Sequence, residues 1–336
     1  MSDVDLSLQN LNDTLEQCDY RVKAGAHSAS RVWPTGFIPL DEHLSGGFRS
    51  GDLILLGGAQ GLGKTTMMMQ IARNIARAGR AVVVFSYEHD QQTSLIRLVA
   101  LEAGLVGGAD APSVQRIRQS FEATDGMGHG LAERLSDTTG GAEAIEVVRE
   151  YAERLVVHRS TGSSTGLEAI AEHIQKVRAD TGQPPLVIVD YLQKVPVPDE
   201  RLDDDDRITR VVEGLKDLAL DHDIPIVAIV ASDKEGIGGG KRMRTNHFRG
   251  SSALAYEADT VLVLNNKADI VARHHLVYNL QNVDEYRNWA VMTIEKNRNG
   301  VNGIDMEFRK MFDQSRYDIN GKLVAEQLTD ERIFTE

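Results

Sequence analysis

The chain has 336 residues, of which 41% are hydrophobic and 26% charged, enough apolar material for one large globular domain or two smaller ones. Its single cysteine, Cys18, excludes an intramolecular disulfide and fits a reducing cytosol, so we expect a cytoplasmic protein. The net charge of −13 argues against a protein that coats nucleic acid with its whole surface. The start resembles no signal peptide and no apolar run could span a bilayer, so we expect no membrane contact.

Residues 1–30 form the first predicted unit, a short amphipathic helix followed by a polar linker. Leu8, Leu11 and Leu15 stand at helical spacing with polar residues between them. An apolar stripe of this kind does not identify its partner. The helix either packs on its own domain or docks on a neighbouring subunit.

Residues 31–336 form the second predicted unit, in which strands and helices alternate. The predicted strands are Asp52–Leu56, Ala81–Ser86, Leu155–His158, Leu186–Asp190, Ile224–Ala231 and Thr260–Leu264. The predicted helices are Lys64–Arg77, Gln91–Ala103, Leu167–Asp180 and Arg207–Leu220, with helical pieces in residues 107–141. The later segments His275–Leu280, Ala290–Lys296 and Ile304–Phe308 have the pattern of antiparallel strands. We therefore predict an α/β fold with a mostly parallel central sheet, helices on both faces and an antiparallel β edge.

The segment Gly58–Thr65 matches the phosphate-binding pattern G-x-x-x-x-G-K-[ST], between an apolar strand and a helix. Its glycines let backbone N–H groups surround phosphate oxygens, and the following helix directs its positive end toward them. Lys64 can reach the terminal phosphates of ATP, and the Thr65 hydroxyl can ligate Mg²⁺. The predicted nucleotide-binding residues are Gly58, Gly61, Leu62, Gly63, Lys64, Thr65 and Thr66.

Two acidic residues follow predicted strands whose carboxyl ends should meet this loop. Asp190 ends the apolar run Leu186–Val189 and is the predicted second Mg²⁺ ligand beside Thr65. Glu88 follows the strand Ala81–Ser86 and is the predicted acceptor for the proton of the attacking water. The sequence thus predicts an ATP-hydrolysing site.

Several segments together resemble the carboxy-terminal motor domain of the replicative DNA helicase DnaB, a RecA-like ATPase. They run in order from about residue 35 to residue 317. They are TGFIPLD at 35–41, SGGFRSGDLILLGG at 45–58, FSYE at 85–88, Arg97, DYLQ at 190–193, RGS at 249–251, EAD at 257–259 and KNRNG at 296–300. The phosphate loop occurs in very many families, whereas DYLQ together with K-x-R-N-G is much narrower.

The resemblance implies a RecA-like P-loop fold and a ring-forming DNA helicase or translocase that uses ATP and Mg²⁺ on single-stranded DNA in replication. It implies a homohexamer whose active sites lie between subunits. Glu88 then corresponds to the water-activating acid and Asp190 to the Mg²⁺-side acid. Lys296 and Arg298 correspond to a pair that reaches the γ-phosphate bound by the adjacent subunit, where an arginine contributes ~10³–10⁵ in rate in related systems.

A glycine-rich basic segment, residues 236–244, is the predicted DNA contact. Lys241, Arg242 and Arg244 could hold phosphates of a single strand, and in the family the corresponding stretch lies in the central channel. The segment holds no aromatic residue for base stacking, which favours contacts to the DNA backbone. An ordinary charged surface loop would have the same composition.

Three features depart from the family pattern. About 30 residues precede the motor, without the family's helical amino-terminal domain, so primase contact by the usual route is not expected. Asp233 stands where the family has a glutamine that senses nucleotide. The segment after Gln193, which helps line the DNA channel in the family, contains Asp199, Glu200 and the run Asp203–Asp206. Such a run is typical of a solvated, mobile loop and would repel DNA.

Other functions fit parts of the sequence. Asp233 and the acidic run favour a RecA-like or KaiC-like ATPase that remodels or regulates without unwinding DNA. A nucleotide-gated scaffold without activity should lack one of Lys64, Glu88 and Asp190, yet all three are present. A recombinase is a further alternative, which DYLQ fits poorly.

Overall fold

The computed structural model describes residues 10–25, 31–198, 202–232, 241–277 and 281–330. The strands in these ranges are β1 (Val32–Trp33), β2 (Phe48–Arg49), β3 (Leu53–Gly58), β4 (Val82–Ser86), β5 (Leu155–Arg159), β6 (Leu186–Asp190), β7 (Ile226–Ile229), β8 (Thr260–Asn266), β9 (Trp289–Asn297), β10 (Ile304–Met311), β11 (Arg316–Tyr317) and β12 (Lys322–Leu323). All strands except the β1–β2 pair belong to one ten-stranded sheet.

The α-helices in the same ranges join or flank these strands. They are α1 (Leu11–Ala24), α2 (Ile38–His43), α3 (Lys64–Arg77), α4 (Gln91–Gly107), α5 (Val114–Phe121), α6 (Leu131–Arg134), α7 (Gly141–Tyr151), α8 (Leu167–Thr181), α9 (Asp204–Asp221), α10 (Ser251–Glu257), α11 (Lys267–Ile270), α12 (His274–Val277) and α13 (Gln281–Arg287). No helix in the described ranges has both the length and the apolarity needed to cross a bilayer.

The order of the sheet separates a parallel part from an antiparallel part. Along the sheet the strands follow the order β11, β10, β9, β8, β3, β7, β6, β4, β5, and β12 pairs with β10. The six strands from β8 to β5 are parallel to one another. Strand β9 is antiparallel to both β8 and β10. The predicted mostly parallel sheet with an antiparallel β edge is therefore confirmed.

Alternate residues of the parallel strands supply two separate hydrophobic clusters, as the period of two in a strand requires. One cluster contains Ile54, Leu56 and Ile188 and packs against α3, α4 and α7. The other contains Leu55 and Val187 and packs against α8, α9 and α10. Because both faces are covered, the strands are apolar throughout, and this is why they were recognisable in the sequence.

The direction of the strands gives the sheet two chemically different edges, one at each end of the strands. Strands β3, β4 and β6 all run toward the edge where Gly58, Ser86 and Asp190 end them. Strand β9 runs the other way, so its last residue, Asn297, pairs with Thr260 at the start of β8. Sequence features at the ends of β4 and β6 therefore meet the phosphate loop, whereas those at the end of β9 do not.

Two expectations about local structure are wrong. The predicted strand His275–Leu280 is helix α12 where it is described, and residues 278–280 lie outside the described ranges. Strand β9 takes the place beside β8, and a short apolar run does not by itself distinguish strand from helix. The acidic run is also not a loop, because Asp203 caps helix α9 and Asp204–Asp206 form its first turn. Carboxylates are stabilising at that helix end, where N–H groups lack partners.

Helix α1 exposes its apolar side chains. Leu11 is 86% and Leu15 is 67% exposed, and no residue of the helix is buried. Leu8 lies outside the described residues. Packing of this stripe on its own domain is therefore not observed. Docking on a neighbouring subunit stays a prediction.

A buried ion pair joins the helix after the phosphate loop to its neighbour. Arg73 of α3 donates from Nε and Nη2 to the two carboxylate oxygens of Glu102 on α4, each at 2.6 Å. Arg73 is 7% and Glu102 is 1% exposed. Because neither charge is solvated, each depends on the other.

We expect Glu102→Ala to destabilise the protein by about 3–5 kcal/mol, because it leaves a buried guanidinium without a counter-charge. Urea denaturation measures the effect. The exposed pair of Arg149 and Glu146 provides the control, and Glu146→Ala should cost about 0–1 kcal/mol. Equal losses for the two alanine variants would contradict this interpretation of Arg73 and Glu102.

Candidate active site

The phosphate loop lies between β3 and α3 and needs glycine at defined positions. Gly58 has a φ of 153°, Gly61 of 78° and Gly63 of 76°. A Cβ on Gly63 would come within 2.6 Å of the Phe312 ring and 2.9 Å of the Tyr317 hydroxyl. A Cβ on Gly58 would lie 2.7 Å from a carbonyl oxygen of β8. Backbone conformation thus requires all three glycines, and close packing adds a second requirement at Gly58 and Gly63.

Lys64 directs its ammonium group into the loop. Its Nζ donates to the carbonyl oxygens of Gly58 at 2.7 Å and of Ala59 at 3.0 Å. Burial lowers the pKa of Lys64, while the nearby carboxylates of Asp190 and Glu88 act in the opposite direction. The motif therefore places a positive charge where a polyphosphate would need one.

A direct hydrogen bond joins the loop to strand β6. Thr65 Oγ1 donates to Asp190 Oδ2 at 2.8 Å, and Asp190 is only 3% exposed. Burial raises the pKa of Asp190 to about 6, and the Thr65 hydrogen bond opposes this shift. A hydroxyl and a carboxylate are hard oxygen donors of the kind that Mg²⁺ prefers. These two side chains therefore fit the predicted metal site.

Glu88 lies on the same edge of the sheet. Ser86, the last residue of β4, pairs with Asp190, the last residue of β6. Glu88 comes two residues after Ser86 in the chain. Its exposed side chain lines a cavity of about 590 Å³ together with Lys64, Thr65 and Asp190. A carboxylate facing this cavity can accept a proton from water bound within it.

The remaining predicted loop residues divide between cavity and core. Gly61, Gly63 and Thr66 line the cavity. Leu62 instead turns its side chain into the hydrophobic core, and its carbonyl oxygen accepts a hydrogen bond from the Tyr317 hydroxyl. Leu62 therefore fixes the loop to the hydrophobic core and to Tyr317.

Several cavity residues were not assigned a role from the sequence. Arg97 of α4 and Arg118 of α5 line the cavity, and Arg97 Nη2 lies 3.1 Å from His89 Nε2. Burial lowers the pKa of Arg97, with Asp190 acting against it. Arg97 is one of the positions that carry the resemblance to the DnaB motor domain, and that resemblance could have assigned it to the site. Arg118 lies in the polar region 107–141, whose composition gave none.

A second group reaches the cavity from the carboxyl-terminal part of the chain. Because β10 is antiparallel to β9, it returns to the edge that carries the phosphate loop. The residues that follow it, Phe312 and Ser315, line the cavity. No local motif marks them, since only the direction of β10 brings them there.

Lys296 and Arg298 lie at the opposite edge of the sheet. Lys296 Nζ donates to the carbonyl oxygens of Ala255 and Tyr256 at 2.7 and 3.1 Å. Arg298 Nη1 donates to Asp259 Oδ1 at 3.1 Å, and Nη2 donates to the Tyr256 oxygen at 2.7 Å. The six residues of β3 separate this edge from the phosphate loop by roughly 17 Å. Neither side chain belongs to the cavity of its own chain.

The predicted DNA-binding residues do not form a free basic loop. Arg242 is only 6% exposed, bonds to Thr293 Oγ1 at 2.9 Å and pairs with Asp305. Its placement as an exposed phosphate contact is thus corrected, because a buried guanidinium needs a fixed counter-charge. Arg244 pairs with Glu295 and Asp330 at 2.7 and 2.6 Å. Lys241 is exposed. Residues 233–240, including Asp233, and the acids at 199 and 200 lie outside the described ranges.

The raised pKa of Asp190 gives a prediction about stability and pH. Because the folded pKa of about 6 exceeds the usual 3.8, the ionised carboxylate destabilises the metal-free protein, fully above about pH 6 and not below about pH 4. We expect Asp190→Asn to be more stable than the parent by roughly 1–3 kcal/mol at about pH 7.5.

Chemical denaturation across this pH range, in chelator and without nucleotide, measures the difference. It should shrink toward zero as the pH approaches 4. The exposed Asp110→Asn is the control and should show no such trend. A difference for Asp190→Asn that is the same at every pH would contradict the burial of an ionised carboxylate at this position.

Comparisons with known proteins agree with the fold. The family model described as "DnaB-like helicase C terminal domain" matches residues 33–316. The chain is 26% identical over 311 residues to the protein named "Replicative DNA helicase DnaB" of Haemophilus influenzae, covering 92% of this chain and 59% of that relative. It is 29% identical over 275 residues to the protein of the same name of Rhodothermus marinus, covering 79% of this chain and 26% of that relative.

Two solved structures share the fold. One, described as an ATPase domain, has a TM-score of 0.71 at 18% identity and covers 93% of this chain and 99% of its own. A structure of a DnaB-like replicative helicase and its interactions with primase has a TM-score of 0.68 at 18% identity, covering 94% and 68%. The predicted RecA-like α/β fold is confirmed. The chain spans about 59% of the length of the Haemophilus influenzae relative. It belongs to the DnaB-like helicase C-terminal domain family.

Proposed function

We propose that this chain is the ATP-hydrolysing motor of a ring-forming DNA helicase or translocase that acts on single-stranded DNA in replication. The observation that supports it most directly is the Thr65–Asp190 hydrogen bond beside Lys64 and Glu88, around one cavity. Family membership favours a helicase over other ATPases with a phosphate loop. Relatives that cover most of this chain are named as replicative DNA helicases.

Within one subunit, the proposed roles follow from the placement of each group. Backbone N–H groups of the loop and the Lys64 ammonium hold the β- and γ-phosphates of ATP. Thr65 and Asp190 hold Mg²⁺, which when bound neutralises negative charge on the phosphate oxygens. Glu88 orients the attacking water and accepts its proton. Arg97 and Arg118 add positive charge to the same cavity.

The site is completed by a second subunit. The resemblance to DnaB-type motors assigns Lys296 and Arg298 to the ATP of an adjacent copy in a homohexamer. Their position on the edge remote from their own phosphate loop agrees with that role. A planar guanidinium is suited to this task because it presents several fixed N–H donors to phosphate oxygens. A lone subunit would then bind ATP but turn it over slowly.

Contacts with single-stranded DNA are proposed for Lys241 and Arg244. Arg244 is held by Glu295 and Asp330, with 34% of its side chain exposed, so it can contact a phosphate while keeping its orientation. Contact with primase is not part of the proposal for this chain.

A second candidate function is an ATPase that remodels or regulates without unwinding DNA. The observation that favours it is the neutralisation of Arg242 and Arg244 by Asp305, Glu295 and Asp330. Strand displacement on a forked DNA and ATP turnover with and without single-stranded DNA separate the two functions. A helicase shows both DNA-stimulated turnover and displacement, a translocase shows DNA-stimulated turnover, and a regulator shows neither.

We expect Lys64→Ala to abolish ATP turnover, because the Lys64 ammonium lies within the phosphate loop itself, whereas Arg97 and Arg118 reach the cavity from α4 and α5. Phosphate release measures turnover, and calorimetric titration measures ATP affinity. The exposed Lys176→Ala on α8 is the matched control and should behave as the parent. Parent-like turnover by Lys64→Ala would refute the assignment of the phosphate loop.

We expect Arg298→Ala to keep its affinity for ATP while losing ~10³-fold or more in turnover, as for arginines supplied in trans elsewhere. Mixed rings test the direction of action. Increasing the share of Arg298→Ala subunits should inhibit wild-type neighbours, whereas the exposed Arg149→Ala should not. Rings that mix Arg298→Ala with Lys64→Ala subunits should regain turnover, because an intact phosphate loop then meets an intact Arg298 across an interface. Mixed rings that stay inactive would show that Arg298 acts only within its own chain.

A further inference from the structure

Asp259 is a buried carboxylate at the edge of the sheet remote from the phosphate loop. It is 5% exposed and precedes the first residue of β8. Its Oδ2 accepts hydrogen bonds from the Leu53 backbone N–H at 2.8 Å and from Lys216 Nζ at 2.7 Å. Its Oδ1 accepts from Arg298 Nη1 at 3.1 Å. One oxygen is thus fixed to the body of the domain, and the other holds Arg298.

The short stretch that ends in Asp259 holds Arg298 at three points. The Asp259 carboxylate and the Tyr256 carbonyl oxygen accept from different nitrogens of the guanidinium, at 3.1 and 2.7 Å. The backbone N–H of Arg298 also donates to the Asp259 carbonyl oxygen at 2.9 Å. The guanidinium is therefore oriented from one side, although 47% of the Arg298 side chain is exposed.

We propose that Asp259 is a positioning residue that directs Arg298 toward the ATP held by the adjacent subunit. This inference rests on the proposed function, in which Arg298 acts in trans. A long arginine side chain at a surface loses rotational freedom when it meets its target. A side chain already held in the reactive orientation avoids that cost, and misplacement by about 1 Å lowers rates by up to ~10²-fold.

Stability alone does not account for the contact. Ion pairs with a solvated partner contribute little to the free energy of folding, and Arg298 is nearly half exposed. Leu53 N–H and Lys216 already satisfy Oδ2 and give the buried carboxylate a counter-charge. The contact from Oδ1 therefore acts mainly on the orientation of Arg298.

The same carboxylate also touches the strand that leads to the phosphate loop. Leu53 is the first residue of β3, and Gly58, the last residue of β3, begins the loop. Asp259 thus contacts Arg298, which is proposed to serve the neighbour's site, and also β3, the strand that carries the phosphate loop of its own subunit. A shift of β3 on nucleotide binding would move the anchor of Arg298.

The variant Asp259→Asn tests the role of Oδ1 independently of that of Oδ2. Its amide oxygen can keep the contacts with Leu53 N–H and Lys216, which leaves the amide NH₂ facing the Arg298 donors. We expect kcat to fall roughly 10- to 100-fold, because Arg298 is displaced. The KM for ATP should stay within about twofold and native mass should show an unchanged assembly, since the phosphate loop is untouched.

The neighbouring Asp52→Asn is the matched control. Burial and the Asp259 carboxylate raise the pKa of Asp52 to about 6, so at about pH 8 this substitution removes a full negative charge from the same cluster. Asp52 contacts Asn299 and has no described contact with Arg298. Parent-like turnover by Asp52→Asn together with a loss in Asp259→Asn supports the specific contact.

A double-mutant cycle tells positioning from a general structural role. If Asp259 acts through Arg298, Asp259→Asn should lower turnover no further in an Arg298→Ala background. Losses that multiply would overturn the proposal. So would full turnover by Asp259→Asn while Arg298→Ala is inactive. If Arg298→Ala is itself fully active, the trans role in the proposed function fails instead.

Mixed rings keep the test decisive if Asp259→Asn assembles poorly alone. A minor share of the variant in rings of wild-type subunits should inhibit turnover with the same dependence on its share as Arg298→Ala. Turnover unaffected by incorporated Asp259→Asn subunits would contradict the proposal.

Discussion

The direction of the parallel strands is the constraint on which the whole site depends. It brings Gly58, Glu88 and Asp190 to one edge, where the Thr65–Asp190 hydrogen bond joins loop and strand. The same constraint sends the end of β9, and with it Arg298, to the opposite edge. In the proposed function, one subunit therefore holds both halves of an active site without being able to combine them. Assembly into a ring follows as a requirement of the proposed chemistry.

Most of the fold could be predicted because burial leaves a direct trace in sequence. Strands such as Leu186–Asp190 are covered on both faces, so every position before the final Asp is apolar. Prediction failed where tertiary contacts decide the outcome. The segment around His275 is helix α12 and not a strand, and its short apolar pattern did not distinguish the two. The acidic run Asp203–Asp206 begins a helix because its carboxylates meet unpaired N–H groups.

The site could be predicted as far as local motifs extend. Lys64 and Asp190 have spacing and context that indicate their chemistry, and the structure places them together. Arg118 and Phe312 carry no local signal, since only the packing of α5 and the return of β10 bring them to the cavity. Composition misled at Arg242, because a basic segment suggests exposure, whereas the structure buries this side chain and pairs it with Asp305.

The most direct test of the account is a structure of the assembled ring with a non-hydrolysable ATP analogue, Mg²⁺ and single-stranded DNA. We predict that Arg298 of each subunit lies within hydrogen-bond distance of the γ-phosphate held by the neighbouring Lys64, with its guanidinium still bound to Asp259. A ring in which Arg298 faces solvent, or in which each ATP is enclosed by a single subunit, would contradict the account.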